Sequence, residues 1–251
     1  MTLQSPSQTC TISTICPVQA GPAATQVGCA CSRPCSSASV NSALMHHGEP
    51  FRFARGDVLW AEGAAATELI TVCTGVVKLS RAGADNRDTI LEIVFRGGLA
   101  GEEAARSPDH AFRFATCTAL SSGKGIRLPA DRLRILIQEH PELCATLFEQ
   151  ACRRFDTFSQ RINEMSHGPV ENRLARVILR IGDEVGLKDA RGTFVPVRLS
   201  RSDLSEMVGC RVETTIRVMT RWQREGLVET QREGLVIRDP KQLEEAAHFS
   251  A

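Results

Sequence analysis

Residues 199–223 read LSRSDLSEMVGCRVETTIRVMTRWQ, and this stretch decides the fold of the C-terminal part of the chain. Ser200 is a natural N-cap, with Asp203 in the first turn of the helix it would start. Leu204, Met207 and Val208 supply an apolar face, and Gly209 permits a tight turn. A second helix is expected from about Val212 to Arg224, with Ile216, Val218 or Met219, and Trp222 packed inward. Arg211, Val212, Glu213, Arg217 and Arg221 are left for the outward face. Two short helices joined in this way form a helix-turn-helix, whose second helix can lie in a DNA major groove.

The chemistry suits a groove. A guanidinium can donate two hydrogen bonds to guanine, and a carboxylate can accept from cytosine. Glu213 and Arg217 are four apart and share a helix face. The bland reading is an ordinary surface ion pair. The segment that follows, LVETQREGLVIR at 227–238, tips the balance. Two apolar strands flank a polar turn, as in a β-hairpin wing. Upstream, Phe194 to Leu199 reads as a short strand after a loop around 186–192. A helix with Val170, Leu174, Val177, Ile178 and Ile181 on its apolar face precedes that loop.

Composition sets the outer bounds. The chain has 251 residues, 42% hydrophobic and 24% charged, with a formal net charge of +1. That is ordinary for a folded chain of two domains. With so little net charge, contact with nucleic acid must come from a local patch. No apolar run reaches the roughly 18 residues of a membrane span, so no membrane partner is expected. The N-terminus lacks the charged and apolar regions of a secretory signal, and a cytoplasmic location is expected. There, the ten cysteines are not expected to form structural disulfides.

Four regions follow from the patterning. Residues 1–40 are Ser-, Thr-, Ala-, Pro- and Cys-rich and read as a flexible arm. Residues 41–129 alternate short β-rich runs with glycine turns, for example 57–60, 69–73, 76–79 and 89–94, as in an antiparallel double-sheet roll. Residues 130–167 are helical, with Pro141 dividing a short helix from a long one. In the long helix Leu147, Ala151, Phe155, Phe158, Ile162 and Met165 form a narrow a/d-like seam. The chain's own roll or a second copy could cover it, and its narrowness favours a homodimer. Ser166, His167, Gly168 and Pro169 form a break, and residues 168–251 make the winged helix-turn-helix domain.

From about Pro50 to Ile237 the chain resembles the cyclic-AMP receptor protein and fumarate-nitrate reductase regulator (CRP/FNR) family. The residues that carry this are Gly56 to Leu59 with Glu62 and Gly63, Gly75 to Leu79, Gly101 and Glu102, Arg113 to Leu120, and Leu204 to Arg217. The resemblance implies an α+β chain: an antiparallel β-roll of cyclic-nucleotide-binding type, a long dimerisation helix and a winged helix-turn-helix. It implies a homodimer that binds inverted-repeat double-stranded DNA and works with RNA polymerase. Val212, Glu213 and Thr214 look like the start of the oxygen-responsive branch's recognition helix. Glu213 and Arg217 are then expected to read a TTGAT-like half-site, with Arg211, Val212, Thr214, Arg221 and Ser200 as further DNA contacts. Ile216 replaces a serine of that branch.

The resemblance also frames the signal. Cyclic-nucleotide-binding members hold the ribose with a glutamate and the phosphate with an Arg–Ser pair. Glu102 and Arg113 match parts of that set, but Phe114 stands where the serine belongs and offers no hydrogen bond. Cyclic-nucleotide sensing is therefore not expected, and Glu102 and Arg113 are left either to pair with each other or to stand as relics of the family's pocket. Cys29, Cys31 and Cys35 form C-x-C-x3-C just before the roll. The oxygen-sensing branch ligates a [4Fe–4S] cluster with three N-terminal cysteines and a fourth in the roll. Cys117 is the candidate fourth ligand, with Cys73, Cys16 and Cys10 behind it. The spacing departs from the family's, so zinc, a thiol redox switch or an arm with incidental cysteines stay open. Cys144, Cys152 and Cys210 read as buried small residues. No spacing singles out a histidine. The sequence holds no HExxH, P-loop or GxSxG, so no enzyme class is indicated.

Overall fold

The structure is a computed structural model that describes Leu44, residues 46–83 and residues 88–248, with the backbone alone at 164–167. Eight strands form the first layer pair: β1 (Glu49–Phe53), β2 (Val58–Trp60), β3 (Glu68–Thr74), β4 (Val77–Ala82), β5 (Asp88–Val94), β6 (Leu99–Ala100), β7 (Thr116–Ala119) and β8 (Gly123–Pro129). They pair antiparallel in two four-stranded sheets, ordered β1-β8-β3-β6 and β2-β7-β4-β5. The expected antiparallel roll is present. Side chains alternate across each strand, so Ile70 and Val72 point between the sheets. They meet Phe53, Trp60, Val77, Leu79 and Cys117 there. Leu69 points the other way, into a second core with Leu133, Leu136, Leu143 and Leu147 from the helices that follow.

Those helices are α1 (Ala130–Glu139) and α2 (Pro141–His167), divided at Pro141 as the sequence predicts. Two arginines fasten α2 to the rest of the chain. They lie seven apart and so share a face. Arg154 enters the roll and pairs with Glu102 at 2.8 Å and Glu92 at 2.5 Å. Arg161 donates to the carbonyls of Ile90 at 2.8 Å, Leu91 at 2.5 Å and Met207 at 2.6 Å. The neighbouring face of α2 carries Phe148, Phe155 and Ile162, at 70%, 70% and 67% exposure. The seam differs from the sequence reading in two places. Leu147 is 6% exposed and belongs to the intramolecular core, while Phe148 joins the open stripe. Ala151 is exposed and Phe158 half-buried; the side chain of Met165 lies outside the described residues. Cys144 and Cys152 are exposed on α2, not buried, because the helix turns them away from the roll.

The C-terminal part holds α3 (Val170–Val185), β9 (Leu187–Asp189), β10 (Gly192–Val195), α4 (Arg201–Val208), α5 (Val212–Arg224), β11 (Val228–Gln231), β12 (Gly234–Ile237) and α6 (Pro240–His248). Its sheet runs β11-β12-β10-β9. The wing is thus two strands wider than a hairpin, and β9 occupies what the sequence suggested was a loop. Leu174, Ile178, Met219, Trp222 and Leu243 fill its core. Val76, Ile90 and Leu120 of the roll join the same cluster.

One arginine facing two carboxylates leaves a surplus negative charge in the roll. Burial pushes the Glu92 carboxyl above its ordinary range, against the pull of Arg154 and helped by Glu102. The folded chain therefore holds that proton more tightly than the unfolded chain. The stability this confers is present at low pH. It is lost as pH rises from the ordinary glutamate range through the raised value. Glu92→Gln keeps the shape and removes the titration. In urea unfolding from pH 4 to 8, the variant's stability relative to the wild type is expected to improve as pH rises through that window and then level off. Parallel pH curves for the two proteins would refute the assignment.

Candidate nucleic-acid interface and sensory pocket

The start of α4 is fixed by a capping box. The Ser200 hydroxyl accepts from the Asp203 amide at 3.0 Å, and the Ser200 amide donates to the Asp203 carboxylate at 2.9 Å. Losing such a cap costs on the order of 1 kcal/mol. Lys78 on β4 also donates to Asp203 at 2.9 Å and to Glu206 at 3.2 Å, which ties α4 to the roll. Burial alone would raise the Asp203 carboxyl, but the hydrogen bonds from Lys78 and Ser200 hold it below the usual range. Gly209 ends α4 in the left-handed region, at φ 66 and ψ 50. Glycine reaches this region without a Cβ clash, and the turn lets α5 pack back onto the same core.

On α5, Thr215, Val218, Met219 and Trp222 are buried, a 3-4-7 stripe that sets which face points out. This corrects one expectation. Ile216 does not pack inward; it is 46% exposed, and Thr215 takes the buried place at 0%. Cys210 supports that place, with its sulfur 3.2 Å from the Thr215 hydroxyl. Arg211, Glu213, Ile216 and Arg217 are exposed on the outward side, while Val212 and Thr214 are half-buried. Glu213 and Arg217 form no ion pair with each other or any other of the described residues.

The other two expected contacts are engaged within the chain. Arg221 pairs with Glu171 on α3, which also accepts from the Trp222 indole at 3.0 Å. The Ser200 hydroxyl serves the capping box and donates to Asp203 at 2.6 Å. Arg201 reaches from α4 to the Thr230 hydroxyl on the wing at 2.8 Å. Helix pair and wing are thereby one unit, with Arg232 and Glu233 at the exposed wing tip.

In the roll, Glu102 and Arg113 do not pair with each other. Glu102 is held by Arg154. Arg113 donates to the Glu68 carbonyl at 2.8 Å, lies 3.9 Å over the Trp60 ring and is 3.8 Å from Glu103. Its side chain is 1% exposed. A Cβ on Gly101, which sits at φ 94, would strike the Arg113 guanidinium. Phe114 is half-buried, and the Arg154 guanidinium stands 5.9 Å from its ring. The sequence reading missed Arg154. It is forty residues past Phe114 and acquires its role only when α2 packs on the roll.

The cysteine expectations divide. Cys29, Cys31 and Cys35, with Cys10 and Cys16, lie outside the described residues. Cys117 lies inside the roll, on β7. It is fully buried among apolar side chains between the two sheets, and burial pushes its thiol up to about 12. A metal ligand must be a thiolate, and this burial favours the neutral thiol. Cys73 is half-buried beside the α1–α2 core. Among the described residues no three His, Cys, Asp or Glu side chains gather as a metal site.

Comparison with known proteins agrees with this geometry. Residues 50–140 match the cyclic nucleotide-binding domain model, and residues 172–246 the Crp-like helix-turn-helix domain model. The chain is 23% identical over 205 residues to a CRP-like cAMP-activated global transcriptional regulator of Mycobacterium tuberculosis, covering 82% of this chain and 91% of that one. It is 25% identical to the nitrogen fixation regulation protein FixK of Bradyrhizobium diazoefficiens, over 80% and 83% of the two chains. The solved structure of FixK2 from Bradyrhizobium japonicum superposes with a TM-score of 0.70 at 16% identity, covering 81% of this chain and 99% of that one. The curated relatives are regulators rather than enzymes, and no described helix is long and apolar enough to cross a membrane. A roll of cyclic-nucleotide-binding type followed in one chain by a Crp-like helix-turn-helix places the chain in the CRP/FNR family of DNA-binding transcription regulators.

Proposed function

We propose that the chain works as a homodimer in the cytoplasm, reads TTGAT-like inverted repeats and acts on transcription with RNA polymerase. The observation that carries the reading is the outward face of α5, where Glu213 and Arg217 lie beside Ile216. Arg217 supplies the bidentate donor for guanine and Glu213 the acceptor for cytosine. Ile216 presents an apolar surface that suits a thymine methyl. Arg211, Val212 and Thr214 sit at the start of the same helix, where groove contacts concentrate. Arg221 and Ser200 belong to the set as supports, through their bonds to Glu171 and Asp203. In gel-shift titrations, Arg217→Ala is expected to lose about 1–3 kcal/mol of specific binding and its preference for the half-site guanine. An unchanged preference would sink the assignment.

Dimerisation is proposed through Phe148, Phe155 and Ile162, which recur every seven residues on α2, with Ala151 and Phe158 flanking them. Each such side chain stabilises a partner by about 1.5–3 kcal/mol when fully buried. Phe155→Glu is therefore expected to sediment as a monomer at micromolar concentration. It should keep its helical circular dichroism and lose affinity for the full inverted repeat. A dimer of unchanged affinity would place the interface elsewhere.

The signal is proposed to enter at Cys29, Cys31 and Cys35, as an oxygen-, redox- or nitric-oxide-type input. The engagement of Glu102 by Arg154, with Phe114 in the serine position, speaks against a cyclic nucleotide. Burial of Cys117 between the sheets weighs against it as the fourth ligand of a [4Fe–4S] cluster, which leaves Cys73, Cys16 and Cys10 as the alternatives. Chain purified without oxygen is expected to carry iron and sulfide that are lost when the three cysteines become alanine. Zinc in their place would make the arm a zinc site, and a metal-free protein would refute a metal-based arm.

A further inference from the structure

Lys78 joins two parts of the chain that lie 125 residues apart in sequence. From β4 of the roll it donates to Asp203 at 2.9 Å and to Glu206 at 3.2 Å on α4, the first helix of the reading motif. The two carboxylates are three residues apart, about 4.5 Å along the helix, and share one face. Each has a partner on its own helix as well. The Ser200 hydroxyl donates to Asp203 at 2.6 Å, and the Ser202 hydroxyl donates to Glu206 at 2.9 Å. Burial alone would favour the neutral amine, but the bonds to Asp203 and Glu206 keep Lys78 above its ordinary value. The three side chains are largely buried, so salt screens the link only weakly.

Val76, Ile90 and Leu120 of the roll share the apolar core of the C-terminal part. Burial of that kind attracts without a preferred direction. Charged hydrogen bonds have preferred lengths and angles, and two on one face of α4 oppose both its tilt and its rotation. Arg161 adds a bond from α2 to the Met207 carbonyl at the end of the same helix. The α5 helix follows α4 through the Gly209 turn and packs on the same core. Holding α4 therefore holds α5 relative to the roll, while Glu213, Ile216 and Arg217 stay exposed. In a symmetric pair, the same constraint fixes the distance between the two copies of α5. Half-site spacing on the duplex mirrors that distance. We propose that Lys78 is a positioning residue for DNA reading, which sets the half-site spacing that the dimer accepts. This rests on the inverted-repeat reading proposed above.

Selection from a pool of random duplex DNA tests this, using the full chain purified with and without oxygen. The wild type is expected to enrich inverted repeats of one spacing. Lys78→Gln is expected to enrich the same half-site at several spacings. In gel shifts on the enriched repeat, changing the spacing by one base pair is expected to cost the wild type about tenfold in affinity and Lys78→Gln about threefold or less. A loss of stability alone would weaken binding at every spacing alike, so the spacing profile is the readout. Glu206→Gln leaves the Ser200–Asp203 cap and the Lys78–Asp203 bond in place and is expected to give an intermediate profile. One spacing on a half-site other than TTGAT, broadened in Lys78→Gln, would support the proposal while refuting the base assignment. Mixed spacings from the wild type, no enriched repeat, or an unchanged single spacing in Lys78→Gln would each overturn the proposal.

Discussion

The structure turns on the anchoring of the buried Arg154 side chain and the half-buried Arg161, two arginines on one face of a single helix. A charge removed from water must be paired, or the desolvation penalty of several kcal/mol stands against folding. Arg154 meets two carboxylates in the roll. Arg161 meets carbonyls left open at β5 and at the last turn of α4. A helix C-terminus carries unsatisfied carbonyls and partial negative charge, so an arginine there is favourable twice over. These bonds fix the rotation of α2 about its axis. Once that rotation is set, Phe148, Phe155 and Ile162 stand exposed among the described residues. The open stripe is thus a consequence of the buried arginines.

How much of this is legible in the sequence depends on whether a feature is local. The Ser200–Asp203 cap, the Gly209 turn and the bounds of α5 follow from neighbours a few residues apart, and the structure places them as expected. Ile216 and Thr215 were exchanged because hydrophobicity alone chose the inward residue. The 3-4-7 spacing through Val218, Met219 and Trp222 selects Thr215, whose hydroxyl finds the Cys210 sulfur. Strands of two to four residues such as β6, β7 and β9 leave too short a pattern to detect. Their place comes from sheet partners distant in sequence. Leu147 fits the seam by its spacing and yet packs on its own chain, because an a/d count cannot say which layer a helix touches.

The same limit governed the sensory pocket. Glu102 and Arg113 look like a matched pair when only the roll is considered. Packing offers each a different partner. Arg113 finds the Glu68 carbonyl and the face of Trp60, a ring that attracts cations. Glu102 finds Arg154, which no inspection of the roll sequence could supply. Cys117 carried a ligand's identity but not a ligand's environment. The apolar space between two sheets favours the neutral thiol, whatever role the residue type suggests.

A route between the two ends of the chain follows from this packing. Arg154 and Arg161 are about 10 Å apart along a helix that rises 1.5 Å per residue. A change that loosened the Glu92–Arg154–Glu102 cluster would act on the same rigid rod that holds the Met207 carbonyl at the end of α4. Lys78 makes a second link, from β4 to Asp203 in the first turn of α4 and to Glu206 near its end. Both ends of the first reading helix are therefore held by residues of the sensory part. Coupling between sites needs an element whose arrangement both sites bias. Here α4 is the element that both links touch. Its N-terminal cap shares Asp203 with Lys78, and its C-terminal carbonyl shares Arg161 with the roll. Through the Gly209 turn α4 leads into α5, so both links bear on the position of the helix that carries Glu213 and Arg217, while the buried stripe of α5 sets which face they occupy.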